Sequence, residues 1–284
     1  MNEKICVITG ATSGIGKVTA LELAKQGYTI HYVARNEKKA DQLLLELRDL
    51  SENKHRYYLC DLADMKQIRK VITQIKKNCT HINLLINNAG FIAKTEPIMN
   101  DQHIETTFAV NHLAPFLFTI KLFALLRKSA HAKVITVASS AYKMAHVKKA
   151  DIENVHHYNP LTNYANSKLY NILFTESLAK KLKNYNIHAY SVHPGVVATN
   201  FAKESSGWFA RLFSFLRPLL LTPEKGAKTT LYVATNHITQ PSGTYFVKSK
   251  PRRVKSRYNT SDMEDALWNY SVQVTGEDLV TSSK

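Results

Sequence analysis

Two hydrophobic periods alternate along the chain. Short, almost continuously apolar runs at 4–9, 28–33, 55–60, 82–86, 134–138 and 187–192 read as strands covered on both faces. Between them, apolar residues recur at helical spacing over 17–26, with Val18, Leu21 and Leu23 as anchors, then over 38–50, from near Met65, and over 102–128. Tyr164 and Lys168 fall on a further helix, entered from a loop at 158–162. Thr222-Pro223-Glu224 opens another, with proline suited to a first turn, and 244–247 makes a last strand. Strand alternating with helix predicts an α/β fold: a single doubly wound, mostly parallel sheet with helices on both faces, in one domain over residues 1–284.

The ends of these runs carry the chemistry. The first strand enters Thr9-Gly10-Ala11-Thr12-Ser13-Gly14-Ile15-Gly16 and then a helix. Glycines permit tight turning and close backbone approach, and a helix N-terminus offers free N–H groups to a pyrophosphate. Gly10, Ser13, Gly14, Ile15 and Gly16 are therefore dinucleotide-binding candidates, spaced G-x-x-x-G-x-G. About twenty residues past such a loop, an acid accepts from a ribose 2′-hydroxyl, whereas an arginine accommodates a 2′-phosphate. This chain has Arg35 there, followed by Lys38 and Lys39, with Glu37 two residues late, which favours NADP(H) over NAD(H). Asp61-Leu62 closes the third strand, where the acid either meets an adenine amino group or caps the helix near Met65. Asn87-Asn88-Ala89-Gly90 follows the fourth, where small and amide side chains let the chain pass beneath a nucleotide and tie strands together.

Tyr164 and Lys168 are four apart, one turn on one helix face. A phenol titrates near ~10, and a nearby ammonium favours its anion. The pair is expected to exchange a proton near neutral pH, as carbonyl reduction or alcohol oxidation requires.

These motifs, with Ser139-Ser140, occur in an order and spacing that resemble the short-chain dehydrogenases/reductases over roughly residues 4 to 250. Val110-Asn111-His112-Leu113, Asn171-Ile172-Leu173-Phe174-Thr175 and His193-Pro194-Gly195-Val196-Val197-Ala198-Thr199 resemble the retinol dehydrogenase and WW-domain oxidoreductase-like group. The resemblance implies a Rossmann-type sheet and an oxidoreductase acting on an apolar aldehyde, ketone or alcohol, including carbonyl reductase activity. It implies Tyr164 as acid/base, Lys168 as its partner and ribose ligand, and Ser140 as the hydroxyl facing the substrate oxygen, with Ser139 competing. Asn111 would support a proton path or a helix kink. Asn88, Ala89 and Gly90 would lie against the nucleotide, and Val197 and Thr199 against the nicotinamide carboxamide. From about 199 to 222 the family covers its substrate, and here Trp208, Phe209, Leu212 and Phe213 supply an apolar lid. That segment could instead also touch a membrane, or serve as core or homodimer packing. The alternative function is a catalytically weak NADP(H)-binding sensor or scaffold.

Composition narrows this further. Lys and Arg number 38 against 22 Asp and Glu, a formal charge of +16 that attracts a phosphorylated cofactor or an acidic membrane surface. Nucleic acid is not expected, because no reading motif accompanies the charge. The basic run Lys248-Ser249-Lys250-Pro251-Arg252-Arg253-Val254-Lys255-Ser256-Arg257, which opens a C-terminal segment of about 248–284, reads first as solvated surface and next as acidic-lipid contact. Cys6, Cys60 and Cys79 lack metal-like spacing and read as reduced packing residues, and no metal site is expected. No leader pattern precedes the first strand and no run reaches the roughly 18 apolar residues of a membrane span, so a cytoplasmic chain is expected, peripheral to a membrane at most.

Overall fold

The computed structural model describes residues 3–93, 97–195 and 221–279. Val197, Thr199, Trp208, Phe209, Leu212 and Phe213, and with them the expected lid, lie outside the described residues.

Eight strands form one sheet in the order β3-β2-β1-β4-β5-β6-β7-β8. They are β1 (Lys4–Thr9), β2 (Tyr28–Ala34), β3 (Arg56–Leu59), β4 (Leu84–Asn87), β5 (Ala132–Val137), β6 (Ile187–His193), β7 (Tyr245–Val247) and β8 (Lys250–Arg252). The first seven pair in parallel and β8 returns antiparallel to β7. From β1 the chain winds outward to β2 and β3, then crosses back to β4, so the switch point lies between β1 and β4, where open α/β sheets bind ligands.

Helices cover both faces. On one, α1 (Gly14–Lys25), α2 (Glu37–Leu50) and α7 (Pro223–Thr235) bury Leu23, Leu43, Leu47 and Val233 against Ile8, Ile30 and Ile86. On the other lie α3 (Met65–Asn78), α4 (Thr106–Phe108), α5 (Ala114–Arg127), α6 (Pro160–Lys181) and α8 (Ser261–Thr275), whose Ile72, Phe116, Leu169 and Trp268 share the larger core. Several begin on capping side chains. Asp64 caps α3 through the Lys66 and Gln67 N–H groups, and Asn159 caps α6, with Pro160 in the first turn.

One expectation is corrected. The helical run Thr106–Arg127 is 22 residues long and apolar enough to cross a membrane, against the expectation that no run would be; 83% of its most apolar window is buried inside the protein. Charged and hydroxyl residues inside the run interrupt the apolar pattern without interrupting the helix, which hid its length. The basic residues Lys248, Lys250, Arg252, Arg253, Lys255 and Arg257 are exposed, as the reading of that run as solvated surface expects, but the segment is also structured. Lys250–Arg252 forms an edge strand, with Lys248 and Ser249 as a two-residue turn at φ 52° and 58°, and α8 docks against α6 through buried Met263, Leu267 and Trp268. Lysine, arginine and proline suit an edge strand because they discourage pairing with another chain.

Candidate active site

The glycine loop lies at the sheet's switch point with its geometry fixed by contact. Gly10 sits at φ 68°, and a Cβ there would lie 2.9 Å from the Ala89 Cα. A Cβ on Gly16 would lie 2.2 Å from the Gly10 carbonyl oxygen, so no larger residue fits either position. Asn88 clamps the loop from the end of β4: its Nδ2 donates to the Thr9 and Gly10 carbonyls at 2.9 and 3.1 Å. In return the Thr9 hydroxyl accepts from the N–H groups of Asn88 and Ala89, each at 3.1 Å. Ser13 occupies the N-cap of α1 without a side-chain capping bond, beside Gly14 and Ile15. The first-turn N–H groups and the dipole of α1 thus face the loop, a fitting cradle for a pyrophosphate.

At the end of β2, Arg35 is exposed, next to exposed Lys38 and Lys39 on the first turn of α2. None of the three forms an ion pair among the described residues. Asn36 caps α2 by accepting from the Lys39 N–H. The two readings of Asp61 separate here. Asp64, not Asp61, caps α3, while Asp61 Oδ1 accepts from the Ala63 N–H at 2.9 Å, beside half-buried Leu62.

The third cluster lies where β4, β5 and α6 meet. Lys168 is 3% exposed, and its ammonium donates to the Val137 carbonyl at 3.1 Å. Gly90 makes room for it, since a Cβ there would lie 3.1 Å from Nζ and 3.2 Å from Asn111 Oδ1. Burial lowers the ammonium to about 8. Tyr164 is one turn away, with Nζ 5.4 Å from its ring centroid. Burial pushes the phenol up to about 12, and a hydrogen bond with Ser139 opposes the shift. The Lys168 ammonium bonds the strand carbonyl and rests over the phenol ring. At neutral pH the phenol is a proton donor.

The hydroxyl set against Tyr164 is that of Ser139. Ser139 continues the extended backbone past β5 (φ −158°, ψ 154°), whereas Ser140 begins a short 3₁₀ turn, Ser140–Met144. The Ser140 N–H donates to His193 Nδ1 at 3.2 Å. Burial lowers His193 to about 4, so its ring stays neutral and can accept. Asn111 lies in a π-helical turn, Ala109–Leu113, between α4 and α5, the kind of distortion common at functional sites. Its side chain bonds both the N–H and the carbonyl of Phe91 at 2.9 Å and donates to Ser167 Oγ, which donates to the Tyr164 carbonyl.

A strand–glycine–helix cradle, an amide clamp and a buried Tyr-Lys-Ser cluster at one switch point match a known group of proteins. The family model described as short chain dehydrogenase matches residues 4–209. The chain belongs to the short-chain dehydrogenase family. Mouse retinol dehydrogenase 12 is 35% identical over 275 residues, covering 96% of this chain and 86% of its own length. Human retinol dehydrogenase 11 is 34% identical over 277 residues with the same coverage, which puts this family member in the retinol dehydrogenase-like group and makes it an oxidoreductase. Among solved structures, an uncharacterized protein from Mycobacterium paratuberculosis superposes with a TM-score of 0.77 at 28% identity, covering 97% of this chain and 94% of that one. A chain from Escherichia coli CFT073, described as a short-chain dehydrogenase and solved with NADPH, shares the fold at a TM-score of 0.70 and 22% identity, covering 88% of this chain and 98% of that one.

Sequence reasoning missed two braces of this dehydrogenase site. Asn166 bonds the N–H and carbonyl of His146 at 2.7 and 3.0 Å, holding the chain that follows the serines. Asn171 Nδ2 shares the Val137 carbonyl with Lys168. Both amides fall on buried positions of α6, and an asparagine on a buried helix face is the signal that could have found them.

Proposed function

We propose that this oxidoreductase interconverts apolar aldehydes or ketones and their alcohols with NADP(H), acting foremost as a carbonyl reductase. One observation carries the reading: a protonated Tyr164 bonded to Ser139, with the Lys168 ammonium one helical turn away. The residues present fit a nicotinamide dinucleotide, since the glycine loop leaves a cradle that a Cβ would fill and Lys168 keeps donors beyond its single bond. Bound there, the cofactor supplies or accepts the hydride.

The chain's own groups do the rest. Gly10, Ser13, Gly14, Ile15 and Gly16 with the α1 N-terminus hold the pyrophosphate, and Asn88, Ala89 and Gly90 keep the floor flat. Arg35, aided by Lys38 and Lys39, meets a 2′-phosphate, which supports NADP(H) over NAD(H). Asp61 and Leu62 flank the adenine, and Val197 and Thr199 are assigned to the carboxamide by sequence. Lys168 holds the ribose hydroxyls. A carbonyl oxygen that accepts from the Tyr164 and Ser139 hydroxyls gains a proton from the phenol as charge develops on it. Asn111 fixes the Phe91 backbone and, through Ser167, the turn that carries Tyr164.

The apolar substrate class rests on Trp208, Phe209, Leu212 and Phe213 in the chain order where the family covers its substrate, and on relatives named retinol dehydrogenases. The test is kcat/KM with NADPH and NADH along an aldehyde series of increasing chain length. The reading expects rising values with length and a preference for NADPH. A flat or falling profile would sink the apolar assignment, and no turnover with bound NADPH would leave the sensor reading.

A further inference from the structure

The C-terminal half of α6, the β7–β8 hairpin and the loop before α8 border an open polar pocket of about 380 Å³, lined in part by Glu176, Tyr245, Asn259 and the exposed Arg252 and Arg253. Glu176 lies twelve residues beyond Tyr164 on α6, about 18 Å along the axis at a 1.5 Å rise per residue. The cavity is therefore separate from the catalytic cluster.

Its polar groups are unfinished. The buried Tyr245 hydroxyl and Asn259 Oδ1 have no hydrogen-bond partner, and Tyr245 is 3% exposed. Arg252 and Arg253 form no ion pair among the described residues, although Glu176 lines the same cavity. The Glu176 carboxyl meets the Asn259 amide, Nδ2 donating to Oε1 at 3.5 Å. Burial and the Glu264 carboxylate on α8 raise Glu176 to about 7, while the Asn259 bond and Lys180 on its own helix oppose them. Lys180 is itself bound to Glu264 at 2.8 Å. The other charged groups on the cavity are the two guanidiniums, and burial keeps the Tyr245 phenol protonated.

The pocket lining thus offers donors with no ion-pair partner among the described residues and an unpaired amide oxygen on Asn259, whose Nδ2 meets the Glu176 carboxyl. We infer that it binds a small phosphomonoester that also carries hydroxyl groups, with Arg252, Arg253 and Tyr245 on the phosphate and Asn259 and Glu176 on the hydroxyls. Phosphate is favoured over carboxylate because two guanidinium forks and a phenol present more donors than two oxygens accept, and a phosphate adds a third oxygen. The same chemistry is presented by a free sugar phosphate and by a phosphoinositide headgroup. Neutral Glu176 donates to the ligand, whereas its anion repels the phosphate.

Calorimetric titration with glycerol 3-phosphate and with inositol 1-phosphate tests the site on the full chain. Saturable binding is expected, weakened at least tenfold in Arg252→Ala and Arg253→Ala and unchanged in Lys248→Ala, a nearby cation that does not line the cavity. Binding should weaken about tenfold from pH 6 to pH 8, as a group near 7 loses its proton. Glu176→Gln should remove that fall, leaving the probe's own titration. Vesicles of phosphatidylcholine with 5% phosphatidylinositol 4-phosphate identify the source: competition with the soluble probe assigns a lipid headgroup, and its absence with intact probe binding assigns a free metabolite. No probe binding, or equal binding by the arginine variants with unchanged unfolding midpoints, overturns the site. So does binding only to vesicles of phosphatidylserine, which reports surface charge alone.

Discussion

Replacing Lys168 with Met should abolish turnover and yet make the protein more stable. The ammonium is buried, bonds one carbonyl and pairs with no carboxylate among the described residues. Burial lowers its pKa from 10.5 to about 8. At about 1.36 kcal/mol per unit, holding this charge in the folded chain costs ~3 kcal/mol at neutral pH. Methionine keeps the apolar stem without the charge, and the Val137 carbonyl is not orphaned because Asn171 Nδ2 still donates to it at 3.2 Å. The cation–π contact with Tyr164, worth ~0.5–1 kcal/mol, is lost. The net expectation is a gain of about 1–3 kcal/mol.

The pH dependence separates this account from a packing effect. Because the folded pKa is lowered, the unfolded chain holds the extra proton between about 8 and 10.5. The penalty is complete below the folded value and is relieved as pH rises through that window, falling below ~1 kcal/mol by pH 10. Urea unfolding of both proteins at pH 7 and pH 10 measures it. Wild type should approach the Met variant as pH rises. A variant that is less stable at pH 7, with a gap that does not change by pH 10, would refute the claim that the charge is what the fold tolerates for function.

Tyr164→Phe should lower kcat by at least ~100-fold while NADPH titration shows near-normal binding; near wild-type turnover would remove Tyr164 from the reaction. Ser139→Ala should cost far more rate than Ser140→Ala in the same assay, because the phenol is bonded to Ser139; the reverse order would assign the role to Ser140. Arg35→Ala should weaken NADPH far more than NADH, and equal losses would break the 2′-phosphate assignment. In the hairpin, Lys248 and Ser249 both sit at positive φ without being glycine or asparagine. Lys248→Asn with Ser249→Gly should therefore raise stability by about 1 kcal/mol, read as a higher urea midpoint at unchanged slope.

The parallel sheet was legible because strands buried on both faces are written as unbroken apolar runs, as in Ile5-Cys6-Val7-Ile8. The glycine loop was legible because close approach admits no side chain at Gly10 or Gly16. The antiparallel β8 was not, since Lys250-Pro251-Arg252 is exposed and carries no apolar signature. The helix α8 was hidden behind the same charge run, although Ser261-Asp262-Met263-Glu264 before Leu267 and Trp268 has the form of a helix start. The choice between the two serines turned on a single residue. Alternation along β5 continues through extended Ser139 and stops at Ser140, where the backbone turns. That alternation sets the two hydroxyls on different backbone conformations, and the rate comparison of their alanine variants decides between them.

The helical run Thr106–Arg127 shows why composition alone misleads. By length and apolarity it could cross a membrane. Its two central polar residues are committed elsewhere, however: Asn111 to Phe91 and Ser167, and His112 Nε2 to the Ser271 hydroxyl on α8 at 3.0 Å. Burial lowers His112 to about 3, so the ring stays neutral among Phe108, Tyr170 and Phe174. These bonds tie the run to α6 and α8 and explain its 83% burial. They form where one turn of π-helix admits an extra residue and so turns Asn111 toward α6. The same local distortion that commits this apolar run to the core therefore delivers the asparagine beside Gly90 and Lys168.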